Sequence, residues 1–440
     1  MESKPTSVPA MAKQVGNADD QWSWVEPSVW TERMLAALVM GVKGGKWFSL
    51  MDKVYCQRNL QSAFTAVKRN KGAGGVDHQT IEMFENDLER NLQRLERQLK
   101  DGTYSPKAVR RVTIPKPGSK EGRPLGIPCV SERVVQGALR HVIEPIFELE
   151  FSTHSYGFRP GRSCKAALRR VDGLLKGGNT VVVDADLKSY FDTIPHDKLL
   201  AKVQEKVADG RVIELIEKFL KQEVMEGSRT WTPEEGSPQG AVLSPLLSNL
   251  YLNPLDHLMA ASGFEMVRYA DDFVILCRDR VEAERALSLV RMWTGEAGLT
   301  LHPEKTKIVD VTQREKFSFL GYEFGKRSRW PRKKSLTKLK DAIRAKTHRN
   351  NGKSLDETIQ SVNVTLKGWF EYFKHSSKST FPKVDGWVRM RLRSILRKRQ
   401  GRKGHGYGRD HQRWPDAFFV KHGLYSLTAA RVKAVNPLKR

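Results

Sequence analysis

Two adjacent carboxylates, Asp271 and Asp272, interrupt an otherwise apolar stretch in the sequence RYADDFVIL, residues 268–276. Burying an ionised carboxylate costs several kcal/mol. Two carboxylates about 4 Å apart repel by a further ~4 kcal/mol at an effective dielectric constant of about 20. A solvated turn between strands at 265–269 and 273–277 is one arrangement that lowers this cost. Binding of a divalent cation is the other arrangement. Asp271 and Asp272 therefore predict either the tip of a hairpin or part of a metal site.

A second acidic site lies upstream, where the apolar run at residues 180–183 leads into Asp184 and Asp186. The run is typical of a central strand with carboxylates at its carboxyl end. If this strand lies beside the first, Asp186, Asp271 and Asp272 can together hold two Mg²⁺ ions, the arrangement used for in-line phosphoryl transfer. Adjacent strand residues point to opposite faces, which favours Asp271 over Asp272 as the direct ligand.

Hydrophobic spacing predicts the elements that position these residues. Apolar residues at helical spacing indicate one long helix from Thr80 to Gly102. Residues 109–130 alternate as two short strands joined by a basic loop, and a helix near 281–297 precedes strands at 308–309 and 317–324. After about residue 327 basic helices follow, and S-x-x-E at residues 354–357 has the form of a capping box.

Charge is the strongest compositional feature of the 440-residue chain. It has 76 Lys and Arg against 50 Asp and Glu, for a net charge of +26. Residues 331–440 contain 28 Lys and Arg against 7 Asp and Glu, a surplus of 21. A polyanionic partner is therefore expected, most simply a nucleic acid, and a merely solubilising basic tail is the alternative.

Cysteine usage and hydropathy exclude other classes of protein. The four cysteines (Cys56, Cys129, Cys164 and Cys277) form no C-x-x-C pair, so a zinc knuckle is not expected. Apolar runs fall far short of the roughly 20 residues that span a bilayer, and the N-terminus has no apolar signal core. We therefore expect a cytoplasmic protein without a membrane partner.

Three motifs in order resemble the palm motifs of reverse transcriptases: D-x-x-x-x-F-D at 186–192, S-P-Q-G at 237–240 and Y-A-D-D at 269–272. Further segments resemble group II intron reverse transcriptases, namely NKGAGGVD (70–77), RRVTIPKPGSKEGRPLGIP (110–128), SYGFRPGRS (155–163), LTLHPEKTK (299–307) and FLGYEF (319–324). GWFEYF (368–373) and GWVRMRLRSILRKR (386–399) resemble the maturase, or thumb, domain of that family. The resemblance runs from about residue 46 to 400.

The resemblance implies an α+β right-hand polymerase, with fingers and palm built on an antiparallel sheet flanked by helices, followed by an α-helical thumb. The implied divisions are an N-terminal arm (1–45), an N-terminal extension and fingers (46–180), the palm (181–326), the thumb or maturase domain (327–400) and a basic nucleic-acid-binding tail (401–440). Some relatives continue into an endonuclease with His and paired Cys ligands. No cysteine follows Cys277 here, so that endonuclease is expected to be absent.

The resemblance also assigns roles to individual residues. Asp186, Asp271 and Asp272 become the catalytic metal ligands for two Mg²⁺ ions, with the Leu187 carbonyl as an extra ligand. The implied nucleotide-binding residues are Lys116 and Arg123 at the triphosphate, Phe191 as a steric gate, Gln239 at the sugar or template pair and Lys305 near the leaving pyrophosphate. The alternatives are a core aromatic for Phe191, RNA-backbone contacts for the basic residues, a strand-edge charge for Asp184 and a helix cap for Asp192.

The implied function is RNA-directed DNA synthesis combined with binding of group II intron RNA to assist its splicing and mobility. The implied partners are intron RNA, an RNA template, a DNA primer, target DNA and dNTPs, with a dimer left open. The residues expected to follow phosphates are Arg389, Arg391, Arg393, Arg397, Lys398 and Arg399. An RNA-directed RNA polymerase, a splicing maturase with a vestigial polymerase site and a domesticated reverse transcriptase in defence or repair are the alternatives.

Overall fold

The computed structural model describes residues 22–115, 122–350, 352–404, 406 and 408–435. The helices before residue 300 are α1 (Glu32–Met40), α2 (Met51–Val54), α3 (Gln57–Asn70), α4 (Ile81–Asn86), α5 (Leu88–Lys100), α6 (Val130–Glu148), α7 (Cys164–Lys176), α8 (His196–Gln204), α9 (Gly210–Leu220), α10 (Ser244–Ala261) and α11 (Arg280–Glu296). The later helices are α12 (Lys333–Lys346), α13 (Leu355–Phe373), α14 (Thr380–Arg399), α15 (Arg409–Arg413), α16 (Asp416–Lys421) and α17 (Leu427–Val435).

The strands form three small sheets. They are β1 (Val109–Pro115), β2 (Gly122–Ile127), β3 (Val181–Asp186), β4 (Val224–Glu226), β5 (Arg229–Trp231), β6 (Glu265–Tyr269), β7 (Asp272–Cys277), β8 (Lys307–Asp310), β9 (Phe317–Phe319), β10 (Tyr322–Phe324) and β11 (Arg329–Pro331). One sheet has the order β2-β1-β4-β5, the second β6-β7-β3-β8 and the third β11-β10-β9. The hairpin β1–β2 confirms the two strands predicted within 109–130.

The sheet β6-β7-β3-β8 is antiparallel between all neighbours, and β3 lies in its interior. Val181, Val183 and Ala185 face a large core shared with the helices, whereas Val182 faces a second core that includes α7 and β9–β10. Because both faces of β3 are covered, its sequence is a continuous apolar run and does not alternate. The predicted antiparallel sheet flanked by helices is confirmed.

The helices after β11 share a third hydrophobic cluster. Apolar residues of α12, α13 and α14 pack together there with Trp414, Phe419 and Leu427. Ser354 and Glu357 form the predicted capping box at the start of α13. This helical unit therefore extends past the predicted boundary at residue 400, because three apolar anchors of the expected tail lie in the same core.

Three local predictions were wrong. The helix predicted from Thr80 to Gly102 breaks at Asp87, whose φ of −127° and ψ of 41° are not helical, although the apolar spacing continues across the break. The strand predicted over 317–324 is a hairpin, because Leu320 and Gly321 both adopt positive φ, as a two-residue type I′ turn requires. Asp192 ends a 3₁₀ turn (Tyr190–Asp192) and does not cap the next helix, whose N-cap is Pro195.

Two further observations concern the remaining predictions. Trp30, in the expected N-terminal arm, is buried, and its indole Nε1 donates to the His141 carbonyl at 2.8 Å. Among the helices that the structure describes, none has the length and hydropathy needed to cross a membrane.

Candidate active site

The acidic residues meet at one end of the sheet that contains β3. In the antiparallel register Asp186 lies directly opposite Asp272, and Asp184 lies opposite Val274. Directly opposite residues, and residues two apart in one strand, share a face. Asp184, Asp186 and Asp272 therefore share the face that also carries Val182. Asp184 belongs to an interior strand, so its interpretation as a strand-edge charge is wrong.

Burial and mutual repulsion mark these carboxylates as a strained group. Burial, together with the charges of Asp184, Asp271 and Asp186, raises the pKa of Asp272 to about 7, against a hydrogen bond from the Leu320 backbone N–H that lowers it. Burial likewise raises the pKa of Asp184, which accepts a hydrogen bond from the Ser318 N–H. Such repulsion between carboxylates is what a bound divalent cation relieves.

The turn between β6 and β7 is fixed by the buried side chain of Arg268. Its guanidinium donates to Asp256 Oδ1 at 2.8 Å, to Asn249 Oδ1 at 2.9 Å and to the Ala270 carbonyl at 2.8 Å. Ala270 has a φ of 58°, a conformation that alanine rarely adopts. Arg268 thus ties the turn that carries Asp271 to the helix α10. We call residues 265–277, that is β6, the turn and β7, the acidic hairpin.

The segment at residues 154–157 supports the acidic hairpin from its outer edge. The Arg268 N–H donates to the His154 carbonyl at 3.0 Å, and the Tyr156 N–H donates to the Arg268 carbonyl at 2.8 Å. A Cβ at Gly157 would lie 2.3 Å from the Ala270 nitrogen. Only glycine therefore fits at position 157, and its carbonyl accepts a hydrogen bond from Asn249 at 2.7 Å.

Lys305 lies at the end of β3, beside Asp186. Its Nζ is 2.6 Å from Asp186 Oδ2, and the Lys305 side chain is 60% exposed. The backbone of this segment is fixed to β3, because the His302 N–H donates to the Asp186 carbonyl at 2.7 Å and the Lys188 N–H donates to the Thr300 carbonyl at 2.8 Å. Lys305 is thus adjacent to the acidic group. Leu187, whose backbone carbonyl was predicted as an extra metal ligand, has a buried side chain.

A cavity of about 280 Å³ lies against the sheet formed by β1, β2, β4 and β5, and it is also lined by the 3₁₀ turn that follows β3 and by residues 233–239. Phe191 and Gln239 both line it, so the structure brings together two residues that were predicted to bind the nucleotide. The Gly126 N–H donates to the Gln239 carbonyl at 2.7 Å, and the Ser237 N–H donates to the Phe191 carbonyl at 2.6 Å. Phe191 also packs against the main core, so the ring contacts both the cavity and the core.

Lys116 and Arg123 were also predicted to bind the nucleotide. Lys116 lies outside the described residues. Arg123 pairs with Ile114 through its backbone in the β1–β2 hairpin, and its side chain lies outside the described atoms. Asp192 and Arg111 also line the cavity, and partial desolvation raises the pKa of Asp192 while the charge of Arg111 lowers it. The pair was not predicted as part of this site.

The donor chemistry suits Mg²⁺, although the structure shows no complete metal cage. Asp186, Asp271 and Asp272 supply carboxylate oxygens, which hard divalent cations prefer. Among the residues the structure describes, no group of three or more His, Cys, Asp or Glu side chains has an arrangement that holds a metal ion. Asp271 affects the pKa of Tyr190 and Arg268 through its charge, as well as that of Asp272. The ligand roles of these three residues therefore stay predictions.

The cationic stripe of α14 is largely occupied within the protein. Arg393 is 2% exposed and donates to the Trp414 carbonyl at 2.9 Å and to Asp416 at 2.7 Å. The prediction that Arg393 contacts phosphates is wrong, because its side chain has no access to an external ligand.

The other five cations of the stripe differ in exposure. Arg389 pairs with Asp416 at 2.8 Å, and Arg397 pairs with Asp410. Arg391 donates to the Thr347 carbonyl at 2.8 Å, and Arg399 donates to the Lys353 carbonyl. Lys398 and Arg399 are exposed, so phosphate contact stays a prediction for the outer end of the helix.

Sequence reasoning missed Arg268, Asp256, Asn249 and Gly157, which position the acidic hairpin. A signal was present for three of them. Arg268 interrupts an apolar strand, and Asn249 and Asp256 interrupt the apolar helix sequence SNLYLNPLDHL. Polar residues at buried positions need partners, so these three could have been paired with one another before the structure was known.

Comparison with known proteins adds family information to this geometry. Residues 114–324 match the family model described as reverse transcriptase (RNA-dependent DNA polymerase). Residues 336–414 match the group II intron, maturase-specific domain. Protein YkfC of Escherichia coli strain K12 is 33% identical over 387 residues, which cover 78% of this chain and 95% of YkfC.

Other similar proteins are covered less completely. The group II intron-encoded protein LtrA of Lactococcus lactis subsp. cremoris is 40% identical over 196 residues, which cover 44% of this chain and 32% of LtrA. A solved structure of telomerase from Candida albicans with a fragment of telomeric RNA covers 77% of this chain and 67% of that one, at 14% identity and a TM-score of 0.44.

The sheet that carries the acidic hairpin lies within the matched region 114–324, so the fold and the site define a protein of the reverse transcriptase class. The helical unit that follows narrows this assignment. The chain belongs to the group II intron reverse transcriptase and maturase family.

Proposed function

We propose that the protein is an active RNA-directed DNA polymerase that also binds group II intron RNA and assists its splicing and mobility. The observation that carries the proposal is the pairing of Asp186 with Asp272 beside the turn that contains Asp271. A cavity lined by both Phe191 and Gln239 supports it. A vestigial site would not need to keep this set of carboxylates together against their repulsion.

The chain's own residues then have separate tasks. Two Mg²⁺ ions, when bound by Asp186, Asp271 and Asp272, would activate the primer hydroxyl and neutralise the triphosphate. Arg268 holds the turn that carries Asp271. Phe191 limits the space beneath the sugar, so that a 2′-hydroxyl is excluded, and Lys305 offers a positive charge to the departing pyrophosphate.

The test is primer extension on an RNA template by Asp271→Asn, which removes one charge with almost no change of shape. We expect the loss of extension with retained template–primer binding, because the variant loses a metal ligand and no cationic surface. Asp341→Asn is the matched control, since the Asp341 side chain is 59% exposed and pairs with Arg344 one helical turn away. Extension by Asp271→Asn at the wild-type rate would refute the assignment.

Phe191→Ala separates DNA synthesis from the alternative of RNA synthesis. The wild-type protein is expected to extend with dNTPs and to reject rNTPs. Phe191→Ala should accept rNTPs more readily, because truncation of the ring opens the cavity beneath the sugar. Equal use of both substrates by the wild-type protein would favour an RNA-directed RNA polymerase.

The splicing role is supported by the maturase match at residues 336–414 and by the basic surplus of the last quarter of the chain. Positive surfaces lower the repulsion that opposes folding of a large RNA, while the RNA itself performs the transesterification. Splicing of the intron RNA at low Mg²⁺ should therefore be accelerated equally by the wild-type protein and by Asp271→Asn. No acceleration by either would remove this half of the proposal and would leave a domesticated reverse transcriptase.

A further inference from the structure

Phe158 has two features that are unusual for a phenylalanine. Its backbone has a φ of 56°, a left-handed conformation that bulky residues avoid. Its side chain is 51% exposed, although burial of such a ring is strongly favourable. A strained, exposed aromatic residue persists only where its neighbours fix it, and such positions concentrate at ligand contacts.

Both neighbours of Phe158 are fixed to the protein. Gly157 lies against the Ala270 backbone of the acidic hairpin, where no larger residue fits. Arg159 is buried, with its Nε 3.0 Å from Glu148 Oε1 and its Nη1 2.8 Å from the Ser155 carbonyl. The backbone on each side of Phe158 is therefore held in place, and its ring is presented outward.

The ring of Phe158 packs against Tyr269 of the acidic hairpin and is the more exposed of the two. Its centroid lies 6.3 Å from that of Tyr269, the first residue of Y-A-D-D. The Tyr269 hydroxyl is engaged with the Cys164 side chain, and the Tyr269 ring packs against the second core. Tyr269 is thus anchored from behind, and Phe158 extends this surface into solvent beside Tyr269, which lies two residues before Asp271.

The chain around Phe158 suits a polyanion. Residues 158–171 contain five Lys and Arg and no Asp or Glu. Three of the five form ion pairs within the protein, Arg159 with Glu148, Lys165 with Glu371 and Arg170 with Glu265. The cations offered to a polyanion are therefore the other two. Arg162 is partly buried and Arg169 is exposed. An exposed aromatic ring flanked by cations is the combination by which proteins hold unpaired or terminal nucleobases, since every base has a face that can stack and a phosphate nearby.

We propose that Phe158 is a stacking site for a nucleobase of the strand that passes the acidic hairpin. The proposal rests on the proposed function, because it supposes that nucleic acid approaches Asp271. The base belongs either to the end of the DNA primer or to the RNA template. Both offer the same aromatic face, and the choice of probe distinguishes them.

The experiment uses the full chain and measures equilibrium binding of two fluorescent probes, an RNA template–DNA primer duplex and the RNA template strand alone, by anisotropy at several salt concentrations. Phe158→Asn removes the ring but keeps a residue that tolerates the left-handed conformation, so backbone strain is not increased. We expect a rise in Kd of roughly 5- to 150-fold, the effect of losing one base–aromatic stack. Phe158→Tyr should bind within about twofold of the wild-type protein.

Two comparisons sharpen the result. Phe48→Asn is the matched control, because Phe48 is also an exposed phenylalanine, at 64%, and should leave both Kd values unchanged. The slope of log Kd against log salt should be the same for Phe158→Asn and the wild-type protein, because the ring contacts no phosphate. If Phe158→Asn loses affinity for the duplex alone, the stacked base belongs to the primer end. If it loses affinity equally for the RNA strand alone, the base belongs to the template.

Unchanged Kd values for Phe158→Asn with both probes would overturn the proposal, as would a weakening that Phe158→Tyr reproduces. These results differ from failure of the proposed function. If the wild-type protein binds the duplex but does not extend it, polymerase activity is refuted while the stacking contact is still read from Kd. If it extends primers and Phe158→Asn binds normally, only the stacking contact is refuted.

Discussion

Removal of the Arg268 guanidinium tests how the acidic hairpin is held. Burial disfavours its charge, but the Asp256 carboxylate outweighs this effect and raises the pKa of Arg268 above its ordinary value. In Arg268→Met, Asp256 stays buried at 2% exposure of its side chain without its partner. The Ala270 carbonyl loses its donor at the same time.

The expected loss of stability is about 3–5 kcal/mol, which is typical when one member of a buried ion pair is removed. The matched control is Arg280→Ala. Arg280 also forms an ion pair, with Glu284 at 3.0 Å, but the two side chains are 72% and 58% exposed. Such a pair contributes about 0.3–0.5 kcal/mol on a helix surface, so the two variants should differ roughly tenfold in destabilisation.

Urea unfolding followed by tryptophan fluorescence measures both variants, and primer extension measures the hairpin directly. Arg268→Lys keeps the charge but not the forked geometry, so it should lose kcat more than stability. The double variant Arg268→Met with Asp256→Leu should regain much of the lost stability, because no unpaired charge is left. The reasoning is refuted if Arg268→Met is no less stable than Arg280→Ala, or if the double variant is no more stable than Arg268→Met.

Two other predictions concern the close contact at Gly157 and a partly buried histidine of α6. Gly157→Ala should reduce kcat and destabilise the protein by ~1–3 kcal/mol through overpacking against Ala270. Gly173→Ala is the control and should do neither, because a Cβ at position 173 meets open space. Equal kcat in both variants would contradict the inferred contact between Gly157 and the Ala270 backbone. Burial lowers the pKa of His141 from 6.5 to about 4. As the pH falls from 6.5 toward 4, the unfolded state therefore binds a proton at His141 before the folded state does, which lowers the free energy of unfolding by up to ~3 kcal/mol. His141→Gln should lack this part of the pH dependence in urea titrations at pH 4 to 7, and identical pH profiles would show that His141 is not responsible.

The strands that carry the acidic residues could be predicted because their physical signals are local. A run of valines ending in Asp184 and Asp186 indicates a strand covered on both faces, and the structure confirms it. Two strands separated by Ala270 and Asp271 indicate a hairpin, which is also confirmed. The pairing of Asp186 with Asp272 is different, because it depends on the register between strands far apart in sequence.

The role of the cationic stripe on α14 could not be predicted, because a basic helix looks the same in sequence whether its charges face solvent or carboxylates. Asp410 and Asp416 lie in a segment that the sequence indicated only as a basic tail. They pair with Arg397 and with Arg389 and Arg393. Which cations remain available to an external polyanion depends on this packing, and the excess of positive charge indicates only the sign of the charge on such a partner.

The arrangement around Ala270 shows why an acidic site needs support from residues that bear no chemistry. Repulsion among Asp184, Asp186 and Asp272 opposes the folded state in the absence of a cation. The antiparallel pairing of β3 with β7 keeps these three residues near one another, whereas Asp271 lies in the turn between β6 and β7. The buried Arg268 and the close contact of Gly157 hold that turn in place. If Asp186, Asp271 and Asp272 bind a cation as predicted, the site is already assembled before binding, so the binding energy is not used to assemble it.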